Sequence, residues 1–116
     1  ALNDWNVSSV TNMRHMFGLT NAFNQPLNDW DVSRVTNMHF MFVLAKAFNQ
    51  PLNKWNVSNV TDMDWMFMRA SSFTNQDLSS WDVSKISSVK HDAFVSNTGG
   101  GNIEPKWQDT AVPSYF

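Results

Sequence analysis

The feature that most constrains this chain is a tryptophan that returns on a fixed period. Trp5, Trp30, Trp55 and Trp81 stand 25, 25 and 26 residues apart, and each is followed by Asn or Asp, then Val, then Ser. The agreement continues downstream. Val10-Thr11-Asn12-Met13, Val35-Thr36-Asn37-Met38 and Val60-Thr61-Asp62-Met63 are one block, continued by Met16-Phe17, Met41-Phe42 and Met66-Phe67. The connections also repeat: Phe23-Asn24-Gln25-Pro26-Leu27, Phe48-Asn49-Gln50-Pro51-Leu52, then Phe73-Thr74-Asn75-Gln76-Asp77-Leu78 with one residue inserted. A copy this short cannot bury its own Trp, Val, Met and Phe. Stacked copies bury them for one another, so the period predicts a repeat array. The fourth copy decays: Ile86-Ser87-Ser88-Val89 keeps the pattern, but Asp92-Ala93 replaces Met-Phe.

Two spacings alternate inside each copy. In Leu27-Asn28-Asp29-Trp30-Asp31-Val32 the apolar residues Trp30 and Val32 lie two apart, the alternation of a short half-buried strand. Val35, Met38, Met41, Phe42 and Ala45 then recur at helical intervals, with Ser33 or Thr36 placed to cap. The expected fold is therefore α/β: a leucine-rich-repeat-like solenoid of about four 25-residue rungs, each with one short parallel strand and one short helix. Leu-x-x-Trp-x-Val fits the Leu-x-x-Leu-x-Leu core of such repeats. Rungs start near Trp5, Trp30, Trp55 and Trp81; the repeat domain covers residues 1–96, and 97–116 form a non-repeat cap or linker. Trp107, Tyr115 and Phe116 favour a cap, because a flexible linker rarely carries three aromatics. Asn24, Asn49 and Asn75 are expected to form a buried ladder. Ala1 to Trp5 aligns with Pro26 to Trp30, so the chain opens in the middle of a copy. An excised piece of a longer array with an open first edge is the expectation.

These motifs resemble the Trp-Asp-Val-Ser-x-Val-Thr-Asn-Met-x-x-Met-Phe repeat of the BspA-like leucine-rich-repeat group, found in mycoplasma surface lipoproteins, other bacteria and some marine protists. The resemblance covers residues 1–96. It implies a cell-surface or extracellular module for adhesion or binding, and it carries no catalytic residues over.

Charge and composition narrow the partners. Eight basic and ten acidic residues, a net charge of −2 and no basic run give no footprint for nucleic acid. No apolar stretch reaches bilayer length. Without cysteine there is no disulfide framework and no thiolate zinc site. The three His fall on different copies, and the chain has neither a nucleophile elbow nor a Gly-rich phosphate loop, so no enzyme is expected and no cofactor is required.

Two columns remain as candidate sites. Asn6, Asp31, Asn56 and Asp82 repeat an oxygen-bearing side chain once per copy, which suits a sugar or calcium ion. His15, Phe40, Trp65 and His91 stand where the repeat is otherwise variable and form a candidate partner-binding stripe, since aromatics dominate interface hot spots. The partners expected are a protein or glycan at a cell surface, or another copy of the chain stacked on an open end into a fibre or tube.

Overall fold

The computed structural model describes residues 2–87 and 90–107. The repeats stack as layers. In layer two the backbone N–H groups of Met38, Phe40, Phe42 and Leu44 donate to the carbonyls of Asp62, Asp64, Met66 and Met68, 24 residues further on, at 2.8–3.0 Å. Met13, His15, Phe17 and Leu19 donate likewise to Asn37, His39, Met41 and Val43. Immediately before this run the direction reverses: Thr36 donates to Thr11, and Thr61 to Thr36.

The rungs are not strand-plus-helix units, and the expected α/β leucine-rich-repeat solenoid is corrected on this point. Among the described residues the one regular helix is a 3-10 turn at Leu2–Asp4, and the strand pairing is three isolated parallel bridges, Asn12 to Asn37, Asn37 to Asp62 and Asp77 to Ile103. Each layer is a succession of tight turns. In layer two, Trp30 donates to Leu27, Val35 to Val32, Met41 to Met38, Val43 to Phe40 and Ala45 to Phe42, every bond spanning three residues. A helix is excluded over Met38–Ala45 for two reasons. Phe40 and Leu44 have left-handed φ values of 60° and 56°, and alternate N–H groups leave the layer instead of bonding four residues back. The spacing of three and four that reads as helical is produced equally well by overlapping turns.

Burial follows the repeat. Leu27, Trp30, Val32, Val35, Met38, Met41, Phe42 and Phe48 are buried, as are their counterparts Leu52 to Phe73 one layer on, and among the described residues no polar side chain is buried. The rings form columns. Phe17, Phe42 and Phe67 stack at 5.5 and 5.3 Å, beside Phe23, Phe48 and Phe73 at 5.9 and 6.1 Å. Within a layer the two columns touch at 4.2–4.3 Å. Each buried indole N–H also reaches back one layer: Trp30 to the Leu2 carbonyl, Trp55 to Leu27 and Trp81 to Leu52, at 2.7–2.9 Å. Burying an indole requires such a partner. The Leu and Trp of adjacent copies are thereby locked in register.

The asparagine ladder lies nearer the surface than expected. Asn24 Oδ1 accepts from the Asn49 N–H and Asn49 Oδ1 from the Thr74 N–H, with Gln50 and Gln76 donating to the same oxygens. Thr74, not Asn75, holds the third place, because the inserted residue shifts Asn75 into a left-handed turn (φ 54°).

Residues 99–107 lie against the last layer. Asn75 donates to Gly100, Leu78 to Ile103, and Ile103 to Gln76. Gly99 permits this approach, since a Cβ there would sit 2.8 Å from the Phe73 carbonyl oxygen. Tyr115 and Phe116, part of the expected cap, lie outside the described residues. Among the described residues no helix is long and apolar enough to cross a membrane.

Candidate functional site

The turn arm of each layer carries a left-handed residue at the same place: His15 (φ 61°), Phe40 (φ 60°) and Trp65 (φ 58°). Stacking the layers stacks these corners. The His15 and Phe40 rings lie 4.6 Å apart and near parallel, and Trp65 meets Phe40 edge-on at 5.1 Å. His39 closes the group, edge-on to Phe40 at 3.8 Å. His15 is exposed, Phe40 half-buried, and Trp65 37% exposed, so the row is a surface feature. The His15 imidazole is held below its ordinary pKa, first by partial desolvation and then by electrostatic repulsion from the neighbouring Arg14 and His39 side chains. The shift favours the uncharged ring.

His91 does not join the row. Met63 and Trp65 donate to the carbonyls of Lys90 and Asp92, as Met38 and Phe40 do to Asp62 and Asp64. Ala93 (φ 50°) therefore occupies the fourth corner. Val60 precedes Asp62 by two residues, whereas Ile86 precedes Lys90 by four, and this offset moves His91 out of register. Its ring stacks instead on Trp107, at 4.0 Å and 8° between planes. Trp107 belongs to no copy of the motif, yet it follows Trp81 by the same 26 residues that separate Trp55 from Trp81, and that spacing is the signal that could have found it. It also meets Phe94 edge-on at 5.0 Å, and an open cavity of ≈ 480 Å³ lies beside it, lined by His91 to Ser96 and Glu104.

Beside the aromatic row sit His39, Asp62 and Asp64, which bring one nitrogen and two carboxylate oxygens within 4.8 Å of one another. These atoms already have partners. Asp62 Oδ1 accepts the Asp64 N–H at 3.0 Å and lies 3.3 Å from His39 Nδ1, while Lys90 Nζ is 3.9 Å from Asp62 Oδ2. Asp64 Oδ1 accepts the Asp92 N–H at 2.8 Å. The group thus acts as a polar clasp joining layers two, three and four.

The second column has a local use. Asn6, Asp31, Asn56 and Asp82 each turn Oδ1 onto the backbone N–H two residues on, at Ser8, Ser33, Ser58 and Ser84, at 3.0–3.1 Å. This turn mimics a backbone bond and explains why Asn and Asp alternate there. Bonds from the Ser33 and Ser84 side chains and N–H groups hold the Asp31 and Asp82 carboxyls below their ordinary range. The four side chains are exposed, and among the described residues no bond links one to the next.

Residues 1–103 match a family described as Mycoplasma protein of unknown function, DUF285. The chain belongs to this family. Comparison with curated proteins and with solved structures gave no match. The family match runs past the fourth repeat and takes in residues 97–103, where the backbone pairs with Asn75 to Leu78.

Proposed function

We propose that this DUF285 chain is a non-catalytic binding module that engages a protein or glycan through the row His15, Phe40 and Trp65. The observation that carries this reading is where the aromatics stand. A non-glycine residue in the left-handed region costs roughly 1–2 kcal/mol, and bulky side chains are rare there. The core does not require these rings, since the buried columns are built from Phe17, Phe42 and Phe67 and from Phe23, Phe48 and Phe73. Strained backbone with exposed aromatics is a mark of recognition surfaces. Exposed rings offer apolar faces at little entropic cost, and the His39, Asp62 and Asp64 clasp beside them fixes the layers that carry them. Placement at a cell surface rests on the resemblance to BspA-like mycoplasma surface repeats.

The test is binding of the chain to panels of surface proteins and immobilised glycans, repeated with a Phe40→Ala/Trp65→Ala double variant. Ligand lost by the variant at unchanged unfolding midpoint supports the row as the site. A ligand held equally by both proteins refutes it.

A further inference from the structure

The fourth layer breaks the repeat at one place on its surface. Where layers two and three carry Pro26-Leu27-Asn28-Asp29 and Pro51-Leu52-Asn53-Lys54, layer four carries Asp77-Leu78-Ser79-Ser80. Pro gives way to an acid, and Asn and Lys to shorter serines. An interlayer bond goes with them. The Asp29 N–H donates to Asn3 Oδ1 at 3.1 Å and the Lys54 N–H to Asn28 Oδ1 at 3.0 Å. Among the described residues the Ser80 N–H makes no such bond to Asn53, and only the Ser80 hydroxyl reaches back, to the Asn53 carbonyl at 3.3 Å. A hollow of ≈ 350 Å³ opens at the break, lined by Asn53, Gln76, Asp77 and Ser80. That volume falls within the range of about 300–1,000 Å³ found for small-molecule sites.

The walls are held in place. Leu78 donates to Ile103 and Ile103 to Gln76, which pins the Gln76–Asp77 segment to the chain beyond layer four. The Gln76 N–H donates to Asn102 Oδ1 at 3.0 Å and its Nε2 to Asn49 Oδ1 at 2.9 Å, leaving Oε1 as an acceptor. Asp77 Oδ1 accepts the Ser79 hydroxyl at 2.6 Å and the Ser79 N–H at 2.9 Å, which leaves Oδ2 and holds the carboxyl below its ordinary range. Asn53 Oδ1 accepts from Asn28 Nδ2 at 3.0 Å, leaving its own Nδ2 as a donor. Among the described residues nothing donates to Gln76 Oε1 or Asp77 Oδ2, and nothing accepts from Asn53 Nδ2 or the Ser80 N–H.

We infer that this hollow is a saccharide site, in which the hydroxyls of one sugar unit bond Asn53, Gln76, Asp77 and the Ser80 N–H. A hydroxyl both donates and accepts, so neighbouring sugar hydroxyls match a wall that offers two donors and two acceptors. The Asp77 carboxylate supplies the strong, charge-assisted bond. Calcium suits the set poorly. It takes about six to eight oxygens, commonly with several carboxylates, whereas this hollow has one carboxylate, on which the Lys106 charge already acts. A peptide side chain with an apolar stem finds no apolar wall, since all four lining residues are polar. The hollow shares no residue with the row of His15, Phe40 and Trp65.

The test titrates the isotope-labelled full chain with glucose, galactose, mannose and N-acetylglucosamine, read by NMR. At least one sugar is expected to move the signals of Asn53, Gln76, Asp77 and Ser80 together. Asp77→Asn keeps the turn onto Ser79, as Asn6 and Asn56 keep theirs onto Ser8 and Ser58, and weakens binding by roughly tenfold or more. Ser80→Lys restores the residue that layer three carries, fills the hollow and abolishes binding, while the unfolding midpoint of both variants stays unchanged. A panel that moves none of these signals overturns the inference, as does equal affinity in the parent chain and both variants. A response of the same residues to calcium chloride alone overturns the choice of a sugar. Shifts confined to His15, Phe40 and Trp65 overturn the hollow as a site and support the aromatic row instead.

Discussion

Phe42→Ala is the sharpest test of the stacked columns. Phe42 is fully buried, and its ring meets Phe17 at 5.5 Å, Phe48 at 4.3 Å, Trp55 at 6.3 Å and Phe67 at 5.3 Å. Layers lie on both sides, so the cavity cannot be filled without moving the whole column. Truncating a buried Phe in such a site costs about 3–5 kcal/mol, a large share of the roughly 5–15 kcal/mol that holds a domain of this size. Phe17, its first-layer counterpart, is 8% exposed and has packed rings on one side only. Phe17→Ala is therefore expected to cost about half as much, on the order of 2 kcal/mol. Urea unfolding followed by tryptophan fluorescence measures both. With a slope of about 1–3 kcal/mol/M, Phe42→Ala lowers the midpoint by about 1 M or more. Because stability in an array is a sum of layer and interface contributions, the variant also broadens or splits the transition. Equal losses at Phe17 and Phe42 would refute the reasoning, since position in the stack would then not matter.

Four further outcomes are expected. Trp55→Phe removes the indole bond to the Leu27 carbonyl, which keeps only the Trp30 N–H, and costs about 1 kcal/mol, whereas Trp5→Phe costs under about 0.5 kcal/mol; thermal unfolding of the two variants separates them. Leu19→Gly, at φ 63° and 70% exposed, relieves left-handed strain and raises stability by roughly 0.5–1 kcal/mol, and a fall in its melting temperature would contradict the backbone assignment. The folded pKa values of Asp31 and Asp82 lie below the ordinary 3.8, so their turns stabilise the fold above that value and lose this contribution as pH falls through the folded values. Asp31→Asn/Asp82→Asn, imitating Asn6 and Asn56, keeps the turns and flattens the dependence of melting temperature on pH below about pH 4. Gly99→Ala forces residues 99–107 off the last layer, read as loss of the upfield shift that Trp107 imposes on His91 in NMR spectra.

The repeat and its buried set were legible in the residues themselves. Trp30, Val32, Met38 and Phe42 recur because every layer must present the same shape to its neighbour, and that requirement is written as a period. Asp31, set between Trp30 and Val32, likewise marks an outward position by alternation alone. The conformation of the backbone was not legible. Val35, Met38, Met41, Phe42 and Ala45 have the spacing of a helix, but a run of tight turns with left-handed corners at Phe40 and Leu44 produces the same spacing. The choice depends on where the N–H groups of Met38 and Phe40 go, and their acceptors lie in the next layer, 24 residues away.

The candidate site divides along the same line. Residue identity alone set His15, Phe40 and Trp65 apart as variable aromatics in an otherwise constant motif. Only stacking brought their rings to 4.6 and 5.1 Å and placed His39, Asp62 and Asp64 beside them. Only the interlayer bonds of Met63 and Trp65 show that Ala93, not His91, holds the fourth corner. Sequence determined which side chains must be hidden, because hydrophobic burial depends on composition and period. Tertiary structure decided register and backbone form, because hydrogen bonds between layers depend on which distant groups the stack brings within reach.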